Sequence, residues 1–185
     1  MPQQGFSLIE LLMGLAIGAI VLSLISPAFA TLTESNRRDQ SAESLISGIR
    51  NARALAIARS QSVVIHGIEG DWSKGWRIIL DSSGKGADDS DNPMLVERAS
   101  DSRIAIVGNW SVKKYIRFSS LGEPLMPGRA FQAGTLHICA TGKAVSQLQV
   151  VLAASGRVRL SNHQVAQALC PEAKSLKAGN VRAAL

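Results

Sequence analysis

Between Phe6 and Ala30 the chain is almost unbroken apolar sequence, 25 residues whose single charge is Glu10. A helix needs about 20 such residues to cross a bilayer, so this run is long enough to span one. A carboxylate costs roughly 2.5–3.5 kcal/mol at the centre of a membrane helix and less toward its end. Glu10 therefore asks for a cationic partner at its own depth. A secretory signal would instead need a basic start, a core of about 7–15 residues and a small-x-small cleavage site. Ala28-Phe29-Ala30 offers such a site, but the run before it is too long and holds Glu10. Gly14 and Gly18 form a small-xxx-small pair that allows close helix approach.

The start Gly5-Phe6-Ser7-Leu8-Ile9-Glu10 resembles the class III signal peptide of type IV pilins and type II secretion pseudopilins. The resemblance implies a leader over residues 1–5, cut by a prepilin peptidase between Gly5 and Phe6, with methylation of the new amine on Phe6. It implies that Glu10 meets the terminal amine of a neighbouring subunit as the filament is built, and that residues 6–30 form the transmembrane and filament-core helix. Pro27 falls where such proteins commonly bend that helix. The five-residue leader carries no Lys or Arg, a departure from the usual basic leader and a pointer to a start further upstream. Residues 31–185 are then a periplasmic head, held by the inner membrane until the subunit enters an extracellular filament among other pilins, near its tip.

The head is the size of one domain, and its charge is uneven. From Ser102 to Leu185 there are 11 basic and 2 acidic residues, whereas Glu69 to Asp101 holds 4 and 8. A one-sided basic balance suits anionic partners such as nucleic acid, acidic lipid or lipopolysaccharide.

Periodicity separates two kinds of structure. Ala42, Leu45, Ile46, Ile49, Ala52, Leu55 and Ala56 recur at three- and four-residue spacing, the stripe of an amphipathic helix over about 35–60. Arg37, Arg38, Arg50, Arg53 and Arg59 lie on its other faces and read as a solvated surface. After Gln61 come short β-type runs at 63–65, 76–80, 94–96, 104–107, 115–118, 136–139, 148–152 and 158–160, divided by Gly, Ser, Asp and Pro. The fold expected is α+β: a long N-terminal helix packed on an antiparallel β-rich head.

Cys139 and Cys170 would meet an oxidising compartment if the anchor exports the head, which favours a disulfide over a metal site, with two free thiols as the alternative. In the chain-entropy picture, closing a loop of about thirty residues contributes roughly 3–4 kcal/mol. Such a bridge would pin the tail beyond Leu160 onto the sheet.

The pilin-type start, the Ala-rich helix end Arg53-Ala54-Leu55-Ala56-Ile57-Ala58-Arg59-Ser60, the run Gly75-Trp76-Arg77-Ile78 and a late Gly-Arg-x-Arg together resemble the GspH/FimT family of minor pilins and pseudopilins. That resemblance implies a pilin-like fold and a low-abundance subunit that helps to prime a filament. FimT-type proteins of natural transformation use a Gly-Arg-x-Arg motif to bind DNA, which carries over here to Gly156, Arg157 and Arg159. On a strand, residues two apart share a face about 6–7 Å from one another, so both guanidiniums can fork onto backbone phosphates. Lys143, Lys174, Lys177 and Arg182 could widen the patch. Such contact would be independent of base sequence and sensitive to salt. The competing readings are a purely structural minor pilin and a pseudopilin of type II secretion.

Other constellations are weak. Trp72, Trp76 and Trp110 fit core or loop packing better than base stacking. His66, His137 and His163 have no carboxylate or cysteine at metal-ligand spacing. The acidic run from Asp81 to Asp91 places Lys85 where a calcium loop needs an oxygen, and reads as a solvated hairpin loop. With no phosphate-cradling loop, nucleophile elbow or paired carboxylates, neither an enzyme nor a cofactor is expected.

Overall fold

The computed structural model describes residues 8–86, 91–101 and 103–172, without the side chains of 22–28. Gly5 and Phe6, the expected cleavage point, lie outside the described residues. Helix α1 (Leu8–Arg59) is followed by nine strands: β1 (Val63–Ile68), β2 (Asp71–Leu80), β3 (Met94–Ala99), β4 (Ile106–Gly108), β5 (Tyr115–Phe118), β6 (Gly134–Cys139), β7 (Val145–Leu152), β8 (Val158–Ser161) and β9 (Val165–Ala166). A one-turn 3-10 helix, Trp110–Val112, sits between β4 and β5. The chain divides into two compact units, 1–37 and 38–185.

In the first unit the described apolar side chains of α1 face outward, Leu8 at 76% exposure and Leu15 at 65%. Among the described residues no helix is long and apolar enough to cross a membrane. The segment expected to do so, 6–30, is described only in part, since its side chains at 6, 7 and 22–28 fall outside.

In the second unit the predicted stripe becomes the core. Ala42, Leu45, Ile46, Ile49, Ala52 and Ala56 are all buried, and Leu55 packs partly against them. The helix stops where Ser60 takes a left-handed φ of 52°. Its N–H bonds to the Ile57 carbonyl at 3.1 Å and the Gln61 N–H reaches back to Ala56 at 3.2 Å. These are the two bonds of a Schellman cap, and they satisfy carbonyls that the helix end would leave orphaned.

Two antiparallel sheets receive this face. One has the order β3-β2-β1-β5, the other β4-β6-β7-β8 with β9 pairing β7. Val63, Ile65, Ile78, Ile116 and Phe118 from the first sheet and Ile106, Leu136, Ile138, Val150, Leu152 and Val158 from the second join α1 in one cluster. Burying each such Leu, Ile or Val contributes roughly 1.5–3 kcal/mol before the entropy of ordering is subtracted. Trp76 lies flat on the helix at Gly48, where a Cβ would come within 2.7 Å of the indole. Its Nε1 donates to Ser44 Oγ at 3.2 Å. Trp72 is buried too, donating to the carbonyls of Val112 at 3.1 Å and Lys113 at 2.9 Å.

The disulfide is present: Cys139 and Cys170 are bonded with their Cα atoms 5.6 Å apart. It ties the chain after β9 to the end of β6. Three expectations change. Strand β9 is only two residues long, too short for a periodic signal, and forms where the tethered tail runs beside β7. Trp110 does not pack at all, being 83% exposed on its 3-10 turn. The acidic run is not solvated throughout, since Asp81 is buried, accepting from Gly86 N at 2.9 Å and from Arg117 Nε at 2.6 Å.

Candidate functional site

Strands β7 and β8 pair Leu152 with Val158, Val151 with Arg159, Val150 with Leu160 and Gln149 with Ser161. Burial alternates along β8 and the residue before it. Val158 is buried, Leu160 packs partly against the core, and Arg157 and Arg159 are both exposed.

The turn before them closes through Ala153 N to Arg157 O at 2.9 Å and Gly156 N to Ala153 O at 2.8 Å. Gly156 takes a φ of +77°, a region that side chains with a Cβ rarely adopt. A Cβ there would also stand 2.8 Å from the Gly122 carbonyl oxygen. The motif glycine is thus fixed twice, by its own conformation and by the turn after β5 that presses against it.

A side chain from another element reaches the same turn. Arg53, on α1, donates from Nη1 to the Gly156 carbonyl at 3.3 Å. Arg50, one helical turn earlier, and Arg53 both line a cleft shared with Arg157. Sequence reasoning assigned these helix arginines to a solvated face; their three-residue spacing puts them on one side of α1, but only the fold shows what lies opposite.

The remaining candidates are scattered. Lys143 is exposed but precedes β7, whereas Arg157 follows it. Eight extended residues put those ends about 25 Å apart, so Lys143 is not part of the arginine cluster. Lys174, Lys177 and Arg182 lie outside the described residues. Glu10 is exposed on α1.

The histidines have structural surroundings. Buried His137 sits between Ser146 Oγ at 3.2 Å and Gln167 Nε2 at 3.0 Å. Burial holds its pKa below the ordinary histidine value. His66 Nδ1 is 2.9 Å from the Gly67 carbonyl, and His163 accepts a bond from Gln149 on its backbone oxygen at 2.8 Å. Among the described residues no group of three or more His, Cys, Asp or Glu could hold a metal ion.

Residues 41–156 match the family described as type II transport protein GspH, and residues 1–26 match the prokaryotic N-terminal methylation motif. The first match ends at the motif glycine, just short of Arg157. No curated relative matches the chain. Among solved structures, the fold is similar to the type IV minor pilin FimU of Pseudomonas aeruginosa in two crystal forms. One has a TM-score of 0.56 and 24% identity, covering 70% of this chain and 92% of that one. The other has a TM-score of 0.53 and 22% identity, covering 66% and 91%.

Proposed function

The chain belongs to the GspH family of minor pilins and pseudopilins, and on that premise we propose that it is a minor type IV pilin whose head binds extracellular DNA for uptake in natural transformation. The observation that carries the proposal is the paired exposure of Arg157 and Arg159 beside a turn that only glycine fits. One exposed arginine on β8 and another just before it, with Val158 and Leu160 packed on the core, make a donor pair for phosphate oxygens. Contact of this kind reads the backbone and not the bases.

A prepilin peptidase cuts between Gly5 and Phe6, the amine of Phe6 is methylated, and Glu10 pairs with that amine on the next subunit. Before assembly the subunit is held in the inner membrane with its head in the periplasm; afterwards it stands near the tip of the filament among other pilins. The name of the matched family favours a second reading, a pseudopilin of type II secretion, in which the arginines serve solubility alone.

Fluorescence anisotropy separates the two. The full chain in a neutral detergent is titrated into labelled duplex DNA at several salt concentrations, beside the Arg157→Gln/Arg159→Gln double variant. DNA uptake predicts binding that weakens steeply with salt and falls at least about tenfold in the double variant. Absent binding at low salt, or equal binding by the variant, would leave the structural or secretion role.

A further inference from the structure

A cleft of about 390 Å³ opens between the end of α1 and the β7–β8 turn, walled by Arg50, Arg53, Ala54, Ile57, Arg157 and Val158. Three guanidiniums face it and no carboxylate lines it. Arg53 is the least exposed of the three. Its Nε is buried without a hydrogen-bond partner. A buried donor left unpaired carries a desolvation cost, greater for a charged group.

Arg53 cannot easily turn elsewhere. A Cβ built on either Gly122 or Gly156 would lie 3.1 Å from that Nε, so the guanidinium is held between two glycine turns that close on it. The positive φ values of 77° at both positions leave those turns little freedom to accept another residue. A donor held in this way is preorganised, which lowers the ordering cost of binding. Small-ligand sites begin at about 300 Å³, so the cleft has room for a sugar-phosphate unit and not only for a bare ion. Ala54, Ile57 and Val158 supply an apolar wall for the sugar.

We propose that this cleft seats one backbone phosphate of a nucleic-acid strand, which then passes over Arg157 to Arg159. The inference rests on the DNA-binding reading and extends it, since the binding surface becomes composite, part helix and part hairpin. Arg157 belongs both to the cleft and to the outward pair, so a ligand with charges at regular intervals follows the line from Arg50 and Arg53 to Arg159. An extended acidic peptide also repeats its charges about 6–7 Å apart, so competition by polyglutamate is the arm that discriminates.

The test uses the full chain in neutral detergent with labelled duplex DNA over a salt series, comparing Arg50→Gln with Arg59→Gln. Both residues are exposed on α1 and both changes remove one charge, but only Arg50 lines the cleft. The slope of log affinity against log salt should become shallower by about 0.9 in Arg50→Gln, the loss of one phosphate contact, and stay unchanged in Arg59→Gln. Arg53→Lys keeps the charge but loses the fork, and should weaken binding several-fold with the thermal transition checked alongside. If Arg50→Gln and Arg59→Gln behave alike while the Arg157→Gln/Arg159→Gln variant loses binding, the cleft is overturned and the DNA reading stands. If the unaltered chain binds no DNA, that reading falls and takes the cleft with it. Polyglutamate displacing DNA as well as unlabelled duplex of equal charge would overturn the phosphate assignment.

Discussion

One helix solves the same problem in two ways. In the first unit Leu8, Leu12 and Leu15 are 76%, 55% and 65% exposed, whereas in the second Leu45, Ile46 and Ile49 are at 1%, 4% and 0%. The residue types hardly differ. What differs is whether the chain supplies the surface that covers them. For Leu45 and Ile49 the sheets do so, and burial becomes folding energy. The apolar side chains of Leu8 to Val21 stay exposed among the described residues, and a contiguous apolar surface of that kind marks an interaction site. A pilin-type subunit has two such partners in turn, a lipid bilayer and the helices of its neighbours.

The largest effect should come from disturbing assembly without touching the head. Glu10→Ala should abolish incorporation into filaments, read by immunoblot of sheared pili, while thermal unfolding of the head stays unchanged. A parallel loss of head stability would show that the halves are not independent. The next effect comes from one chemical change made in both places. Leu45→Ala should destabilise by about 2–5 kcal/mol, the transfer loss plus a cavity. Leu12→Ala should stay within about 0.5 kcal/mol in the same denaturant titration of the detergent-held chain, as exposed positions do. Equal costs would mean that the first half is covered by its own subunit after all.

Two local constraints within the second unit should follow in size. Cys170→Ser opens the loop of 31 residues and should cost about 2–4 kcal/mol in the same titration. Gly156→Ala should cost about 1–3 kcal/mol, because alanine must adopt a φ of +77° with its Cβ 2.8 Å from the Gly122 carbonyl. Its effect should reach DNA binding too, since the turn that places Arg157 also accepts the hydrogen bond from Arg53. Retained stability with unaltered binding would show that the turn is more permissive than its geometry implies.

These examples show where sequence is informative. The stripe from Ala42 to Ala56 was legible because helical period leaves its mark on residue order, and strand β5 was legible because Tyr115–Phe118 alternates between clear turn signals. The outward pair Arg157 and Arg159 followed from the period of two. Arg50 and Arg53 were not legible as part of a site, since nothing local to α1 announces that a hairpin turn about a hundred residues later closes beside them. Trp110 misled for the opposite reason. Tryptophan is usually covered, and only the tertiary position of a one-turn 3-10 helix leaves it at 83% exposure. Strand β9 depends on a covalent tether rather than on its own two residues.

The smallest predicted effect tests whether burial in the second unit extends to a titrating group. His137 is buried on β6, its ring nitrogens meeting Ser146 and Gln167, and burial lowers its pKa in the folded state. A lowered histidine pKa means that the unfolded chain binds the proton more readily than the folded one. Stability from this group is therefore complete above the unfolded value of about 6.5 and is lost as pH falls from there toward the folded value. Denaturant titrations of the detergent-held chain between about pH 7.5 and 5 should show that decline, and His137→Gln should flatten it while keeping a polar partner for Ser146. An unchanged slope in the variant would assign the decline to other groups and mean that His137 binds its proton equally well in the folded and unfolded chain.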